Sequence, residues 1–370
     1  MANIMDYLLW RGDLDWDAAE FNEVDNLILS ELIYVDFSEF VPGPGEGDVG
    51  IADVSHAFFE KHTDEEINEH ISSTKVSAFL MREMAKTKRF AGIRLADYVN
   101  DISTEEQSQF CAMTVDLGDG RLNVVYSGTD ATIVGWRENF NMSFLSETPG
   151  QLKAVEYLSR VAAKNSRPLR IMGHSKGGNL SVYAATHADP GIMERIEVIY
   201  SNDGPGFSET MISAENYKRM LPKIHTIVPE SSIVGMLLEH EEEFEVVKSS
   251  GSGAGQHDVM SWEVLGPSLV HCSTVDEKAV ILDRTLKSWL ASMDSGQREE
   301  LVDALFSVLE EGDIRTVDDL AAMHPGRLLE LIKNSRRPDR DGQEILWENA
   351  RRLAEEGGRV MQELLFGREK

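Results

Sequence analysis

Hydrophobic residues recur along this chain with two different periods, and the changes of period predict its architecture. Over the first 100 residues the apolar positions follow helical spacing, as in one face formed by Val24, Leu27, Ile28, Leu32 and Ile33. Residues 106–275 contain short apolar runs that alternate with helical segments, and the pattern is helical again from Asp276 onward. We therefore expect a mostly helical N-terminal part (1–105), a sheet core (106–275) and a helical C-terminal extension (276–370).

Short apolar runs in the middle region predict the strands of a mainly parallel sheet. The first two flank Gly118-Asp-Gly120, which is a hairpin signal. The later runs alternate with helical patterns, which is typical of βαβ units and of the α/β class. The predicted strands are Phe110–Leu117, Leu122–Ser127, Leu169–Met172, Ile196–Tyr200, Ile224–Val228 and Phe244–Val247.

The segment Gly173-His-Ser-Lys-Gly177, followed by Gly178, has the G-x-S-x-G pattern of a nucleophile elbow. Such a turn lifts a serine above the sheet edge, and glycines flank it because side chains there would collide with backbone. A strand pattern precedes the segment and the helical pattern of Asn179–Ala188 follows it. Ser175 is therefore the predicted nucleophile, and the alternative is a serine that only caps a helix.

A serine hydroxyl needs a general base, and the base needs a carboxylate that orients it. In α/β-hydrolases both follow the nucleophile along the chain, with the acid before the histidine. His257 lies in a loop after the flexible segment Ser249–Gly255, where catalytic groups gather. We predict His257 as the base, with an ordinary exposed loop histidine as the alternative interpretation and His271 as the second choice.

Asp203 is the predicted acid because it follows the apolar strand Ile196–Tyr200 directly. In open α/β sheets the carboxyl edge of the strands carries the ligands. The alternative is a simple Asp-Gly turn. Glu230, which follows the next predicted strand, is the alternative acid.

The oxyanion of an acyl-transfer reaction needs two preorganised N–H or O–H donors. The backbone N–H of Lys176, the residue after the nucleophile, is the first candidate. Thr129 is the second, because it follows Gly128 at the carboxyl end of the predicted strand Leu122–Ser127. A plain strand-ending turn is the alternative for Thr129.

Two of these segments resemble class 3 lipases. Val124-Val-Tyr-Ser-Gly-Thr-Asp130, followed by Trp136, is similar to their F-R-G-[ST]…W segment, and Gly173-His-Ser-Lys-Gly-Gly178 is similar to their G-H-S-L-G-G. The resemblance implies an oxyanion role for Thr129. Class 3 lipases carry their triad aspartate near the position of Ser231 to Ile233, where this chain has none. Other lipases place the acid one strand earlier, in a D-P-A-x-P turn that Asp203-Gly-Pro205 resembles.

More closely, roughly residues 1–275 resemble the Mbeg-like group of bacterial α/β-hydrolases. This resemblance implies an α/β-hydrolase fold and does not cover the helical extension. Besides the elbow, the matching segments are Tyr7–Asp13, Phe21–Leu27, Asn202–Phe207, Val228–Gly235 and Gln256–Asp258.

The charge and the cysteine content limit the partners and the compartment. The chain has 64 acidic and 36 basic side chains and a formal net charge of −28, which disfavours binding to nucleic acids and to anionic membranes. Two cysteines cannot form a disulfide framework, no apolar run approaches about 18 residues, and the first residues lack the pattern of a secretory signal. We therefore expect a cytoplasmic protein.

No metal or cofactor is predicted. His62 and His70 lack the H-E-x-x-H spacing, and the acidic run Glu239–Glu243 lacks the spaced oxygen ligands of a calcium loop. The sequence also contains no phosphate loop and no dinucleotide fingerprint.

These features together predict a serine hydrolase that cleaves a small acyl ester through an acyl-enzyme, as carboxylesterases and lipases do. We expect the hydrolase domain in residues 1–275. A thioesterase, an amidase or an acyltransferase would use the same groups. A non-catalytic interaction protein that keeps a hydrolase scaffold, with an acidic tail that binds a basic partner, is the alternative from another class.

Overall fold

The computed structural model divides the chain into two compact units. The first contains residues 1–102, 109–128 and 149–275, and the second contains residues 103–108, 129–148 and 276–370. The residues that the structure describes are 1–69, 76–103, 105–106, 108–129, 133–142, 145–312, 314, 331 and 340–366.

Ten strands and fourteen α-helices are found in the described residues. The strands are β1 (Asp48–Gly50), β2 (Arg94–Ser103), β3 (Ser108–Asp116), β4 (Leu122–Tyr126), β5 (Leu169–His174), β6 (Ile196–Asn202), β7 (Ile224–Pro229), β8 (Phe244–Val247), β9 (Val264–Leu265) and β10 (Ser268–Leu269). The helices are α1 (Ile4–Arg11), α2 (Glu23–Leu32), α3 (Ile51–Lys61), α4 (Asp64–Glu69), α5 (Val76–Met84), α6 (Ile133–Asn141), α7 (Pro149–Lys164), α8 (Lys176–His187), α9 (Pro190–Arg195), α10 (Glu209–Ile212), α11 (Glu215–Met220), α12 (Glu277–Ala291), α13 (Ser295–Glu311) and α14 (Arg340–Phe366).

The first eight strands form one sheet in which spatial order follows chain order. The pairs β1–β2 and β3–β4 are antiparallel, and β4 to β8 run parallel to one another. The predicted hairpin corresponds to β3 and β4, and helices connect β4 to β5, β5 to β6 and β6 to β7. The predicted α/β class with a mainly parallel sheet is therefore confirmed.

Alternate residues of the central strands belong to two separate hydrophobic cores. Val124 and Ile171 pack with apolar residues of α7 and α8. Their neighbours Val125 and Met172 pack instead with residues of α1, α2 and α5. Because successive side chains of a strand point to opposite faces, both faces of the sheet are covered by helices. This is the α/β layering expected from the sequence.

The strands β1 and β2 lie in the N-terminal part, where only helices were predicted. β1 has only three residues, and β2 lacks a sustained alternation of apolar and polar positions. Asp97 in β2 has a positive φ of 54°, which interrupts the regular pleat. Pairing between the two strands, in which Val49 faces Leu95, supplies the stabilisation that the local pattern lacks.

Helix α2 is held against the rest of the first unit by a buried ion pair. Asp25 accepts a hydrogen bond from Nε of Arg89 at 2.8 Å and another from the hydroxyl of Tyr7 at 2.9 Å. The Arg89 guanidinium also lies over the ring of Trp16, 3.8 Å from its centroid. Charges this deeply buried must be paired, so the contacts determine where α2 sits.

The second unit is mostly helical in its described residues, apart from the strand ends at Ser103 and Ser108 and short connecting segments. Helices α12 and α13 both pack against α14, and α6 packs against α13. Phe140 of α6 contacts Phe306 of α13 with ring centroids 5.7 Å apart. Part of the helical extension predicted for residues 276–370, around Leu328, lies outside the described residues. In the part of the chain that the structure describes, no helix has the length and apolar character needed to cross a bilayer.

Candidate active site

Ser175 lies in a strained turn between β5 and α8. Its backbone has φ 57° and ψ −128°, and its N–H donates to the carbonyl of Asn202 at 2.8 Å. A Cβ on Gly173 would lie 2.3 Å from the carbonyl carbon of Gly177, and one on Gly177 would lie 2.2 Å from the oxygen of Tyr126. Both positions therefore require glycine, as the elbow pattern predicts. Helix α8 starts directly after the serine, three residues earlier than the apolar pattern indicated.

Asn202, the last residue of β6, connects the elbow to helix α2. Its side-chain amide donates to the carbonyl of Gly173 at 3.1 Å and to the hydroxyl of Ser30 at 3.0 Å. Its amide also exchanges two hydrogen bonds with that of Asn26, at 2.9 and 3.1 Å. All of these side chains are buried, so the network holds the elbow in one position.

Asp203 and His257 are brought together although they lie 54 residues apart in the chain. Nδ1 of His257 is 2.6 Å from Oδ2 of Asp203. Asp203 is fully buried just beyond β6, and its N–H donates to the carbonyl of Ile227 at 2.7 Å. His257 ends the 3-10 turn Gly253–His257, and 28% of its side chain is exposed. One member of the pair is thus fixed inside the protein, while the other reaches toward solvent.

The second oxygen of Asp203 is held by two donors that the sequence analysis did not assign. The hydroxyl of Ser232 donates to Oδ1, and the N–H of Gly235 donates to the same atom at 3.1 Å. A Cβ at position 235 would lie 2.4 Å from Oδ1, so only glycine allows this approach. The sequence did point to the segment that contains both donors, because Val228–Gly235 is one of the segments that resemble the Mbeg-like group.

The alternative acid and the alternative base have other partners. The carboxylate of Glu230 lies 3.8 Å from Sγ of Cys272. Nε2 of His271 lies 3.1 Å from the carboxylate of Glu23. The hydrogen bond between Nδ1 of His257 and a carboxylate goes to Asp203.

His174, the residue before Ser175, holds the loop of His257. Its Nε2 lies 2.9 Å from the carbonyl oxygen of His257, and its Nδ1 lies 2.9 Å from the hydroxyl of Tyr34. Burial keeps the pKa of His174 well below its ordinary value, and the neighbouring His257 lowers it further. Because a carbonyl only accepts, Nε2 carries the proton and Nδ1 accepts from Tyr34. Nothing in the local sequence pattern indicates that Tyr34 contacts His174.

The two oxyanion candidates belong to different units. Lys176 is the first residue of α8, and first-turn N–H groups point out of a helix N-terminus. Its side chain is buried and donates to the side-chain oxygen of Gln109 at 2.7 Å. Thr129 belongs to the second unit, where its hydroxyl and the amide of Asn139 are 2.8 and 3.1 Å apart.

In the described part of the chain, contacts with other residues are made by His62 and by the acidic run Glu239–Glu243, neither of which has a metal-binding pattern. The ring of His62 lies against that of Phe58, with centroids 4.6 Å apart, and His70 lies outside the described residues. In the acidic run Glu239–Glu243, Oε1 of Glu242 is 3.1 Å from Nδ1 of His240.

Glu31 is a buried carboxyl group near the loop of His257. It lies on α2, and its Oε1 accepts from the hydroxyl of Ser77 at 2.6 Å. Burial raises the pKa of Glu31 to about 8; the Ser77 hydroxyl lowers it in part, and the charge of Asp258 raises it. Burial likewise raises the pKa of Asp258.

Replacing Glu31 by glutamine should change the pH dependence of stability. Because the folded pKa is raised above 4.5, stability from this group is fully present below pH 4.5 and is lost as the pH rises through about 8. Glutamine keeps an acceptor for Ser77 and carries no charge. At ~1.4 kcal/mol per pKa unit, Glu31→Gln should raise the free energy of unfolding by about 3 kcal/mol near pH 7.

Urea denaturation at several pH values measures this effect. The difference between Glu31→Gln and wild type should grow with pH and vanish near pH 4.5. The exposed Glu65→Gln is the matched control and should show no such trend. A Glu31→Gln difference that is constant across the pH range would contradict the prediction.

Comparison with known proteins gives a family for the chain. No curated protein matches it. The chain is similar to the crystal structure of M37 lipase, with 15% identity and a TM-score of 0.34, over 47% of this chain and 70% of the lipase chain. The family model described as Mbeg1-like matches residues 84–307, which is more than half of the 370 residues. The chain therefore belongs to the Mbeg1-like family, in agreement with the resemblance of its sequence.

Proposed function

We propose that this protein is a serine hydrolase that cleaves a carboxylic ester through an acyl-enzyme. The observation that carries the proposal is the 2.6 Å hydrogen bond between Nδ1 of His257 and the buried carboxylate of Asp203. It occurs in a chain whose Ser175 has the positive φ of a nucleophile elbow. Backbone strain of this kind persists where the surrounding structure enforces it, and it clusters at active sites.

In the proposed mechanism, Nε2 of His257 takes the proton from the hydroxyl of Ser175 as Oγ attacks the ester carbonyl. Asp203 keeps the Nδ1–H tautomer in place and stabilises the imidazolium that forms. His257 then gives the proton to the leaving alcohol, which leaves an acyl group on Ser175. A water molecule, activated by the same histidine, releases the acid and restores the serine.

The oxyanion would be bound by the N–H of Lys176 and by Thr129. Support for the first comes from the position of Lys176 at the start of α8, since a helix N-terminus attracts negative charge. Support for Thr129 comes from its neighbour Gly128, which belongs to the first unit. A Cβ on Gly128 would lie 2.7 Å from the carbonyl oxygen of His174. The chain thus passes next to the elbow immediately before the threonine.

A fluorophosphonate probe tests the proposal, because such probes phosphonylate only activated serines. Wild-type protein should be labelled at Ser175, and Ser175→Ala should not be labelled. Ser250→Ala is the matched control, since Ser250 is an exposed serine outside the elbow, and it should be labelled like the wild type. Folded wild-type protein that is never labelled would favour the interaction-protein alternative.

The substrate proposed is a small acyl ester, and the hydrolytic groups are assigned to residues 1–275. Activity on p-nitrophenyl esters from acetate to palmitate would define the acyl length, and matched thioesters and anilides would separate the esterase from a thioesterase or an amidase. A cytoplasmic location is part of the proposal, supported by Cys111 and Cys272, neither of which forms a disulfide. The net charge of −28 supports weak binding to anionic lipid and to nucleic acid.

A further inference from the structure

Four titratable side chains that the proposed mechanism does not use meet beside the last two strands of the sheet. His225 and Glu245 are the second residues of the parallel strands β7 and β8. In the register of the sheet, Glu245 pairs with Ile227, and Ile227 pairs with Asn202, the last residue of β6. The group therefore lies on the outer strands of the sheet and shares no residue with the proposed catalytic pair.

Glu23 and His271 complete this group from two further elements. Glu23 is the first residue of α2. His271 follows β10 and pairs with Val247, the last residue of β8. The three residues Glu23, Glu245 and His271 each offer a ligand atom, and these atoms all lie within 4.8 Å of one another.

The distances and the atom types fit a zinc ion. Nε2 of His271 lies 3.1 Å from both carboxylate oxygens of Glu23. Zn²⁺ binds imidazole nitrogen and carboxylate oxygen at about 2.0–2.2 Å, so the ligand atoms of a tetrahedral ion are roughly 3.4 Å apart. The side chain of Glu245 is partly exposed, so a small rotation would bring its carboxylate within binding distance of the same ion.

Neighbouring groups hold the carboxylates of Glu23 and Glu245 by hydrogen bonds, as is usual around metal ligands. The N–H of Leu269 donates to Oε1 of Glu23 at 2.8 Å. Nδ1 of His225 donates to Oε1 of Glu245 at 2.6 Å, which leaves Oε2 for another partner. Metal-binding carboxylates are commonly hydrogen-bonded in this way. His225 would therefore orient the carboxylate of Glu245 and would not itself bind the ion.

The charges also favour a cation. Two carboxylates are close together here, and a divalent ion offsets their repulsion directly. Partly exposed histidine–carboxylate pairs stabilise a protein only weakly.

We propose that Glu23, Glu245 and His271 bind one Zn²⁺ ion, with water as the remaining ligand and His225 orienting Glu245. The ion would join the start of α2 to β8, the last strand of the sheet. Because α2 also carries Asn26 and Ser30, which hold Asn202 behind the elbow, an ion bound here would help to fix the position of α2. The proposal does not depend on the hydrolase function.

Isothermal titration of the tag-free, full-length protein with Zn²⁺ at neutral pH tests the proposal, with the unfolding temperature measured on the same samples. Wild-type protein should bind one Zn²⁺ per chain and unfold at a higher temperature with the metal. His271→Ala and Glu245→Gln should each lose affinity by at least about tenfold, and His225→Ala by about tenfold as a supporting residue. Co²⁺ in place of Zn²⁺ should give the visible absorption of a bound ion in the wild type.

His56→Ala is the matched control, because His56 forms an exposed pair with Glu60 at 3.4 Å and should not affect binding. If the wild type binds no Zn²⁺, or if His271→Ala and Glu245→Gln both bind it as tightly as wild type, the proposal is overturned. The Co²⁺ spectrum of the wild type keeps the test decisive even where a variant fails to fold. A protein that binds Zn²⁺ but hydrolyses no ester would contradict the proposed function and leave the zinc site intact.

Discussion

Ser175→Ala should reduce ester hydrolysis by at least about a thousandfold while the protein stays folded. Without the hydroxyl no acyl-enzyme forms, and only substrate binding and oxyanion stabilisation remain. The fold should persist because the elbow is held by backbone contacts, such as the N–H of residue 175 on the carbonyl of Asn202 at 2.8 Å. Steady-state hydrolysis of the best p-nitrophenyl ester gives the loss, and circular dichroism verifies the fold.

Ser250→Ala accompanies this measurement as a control and should keep wild-type turnover, because its hydroxyl contacts only the carbonyl of Ser261 among the described hydrogen bonds. Near-wild-type turnover in a pure, folded Ser175→Ala preparation would rule out the acyl-enzyme mechanism.

Asp203→Asn should reduce turnover by about ten-thousandfold, which is the effect expected for a triad histidine held in the wrong tautomer. The hydrogen bonds of Asp203 explain why asparagine at this position would impose the wrong tautomer. Oδ1 of Asp203 receives two hydrogen bonds, from Ser232 and from Gly235, so the asparagine oxygen must occupy that position. Its NH₂ group then faces Nδ1 of His257, which has to accept, and the proton moves to Nε2. A histidine protonated at Nε2 cannot take the proton of Ser175.

Glu230→Gln is the matched control for the acid, since the Glu230 carboxylate lies beside Cys272. Its turnover should stay within a few-fold of wild type, and the unfolding midpoint of Asp203→Asn should change little. If Glu230→Gln were the inactive variant and Asp203→Asn the active one, the acid would follow β7, as in class 3 lipases.

The elbow at Ser175 could be predicted because such a turn is a local structure. A strand, a turn with flanking glycines and a helix are encoded by neighbouring residues, and the crowding of Gly173 against Gly177 arises within that turn. The crowding of Gly177 against Tyr126 of β4 comes instead from the packing of the sheet. The pairing of Asp203 with His257 was predictable on different grounds. Chain order and the carboxyl edge of a parallel sheet restrict the choice to a few loops, although 54 residues separate the two side chains.

The supporting contacts could not be predicted, since each depends on how distant elements pack. The hydrogen bond between Tyr34 and His174 joins positions 140 residues apart, and the one between Asn26 and Asn202 joins positions 176 residues apart. Helix α2 carries an apolar pattern that predicts a buried face, but the pattern does not say which strand that face meets. The strands β1 and β2 also depend on their pairing rather than on local alternation.

By itself, the sequence determined the class of fold, the elbow and a short choice of acids and bases, because these follow from periodicity and from local sterics. Only the tertiary structure decided which carboxylate meets His257, how the second oxygen of Asp203 is held, and that Glu31 is a buried carboxyl group. It also brought Glu23, Glu245 and His271 together beside β8, the last strand of the sheet. These arrangements arise from contacts between residues far apart in the chain, and a side chain's partners and burial exist only once those contacts have formed.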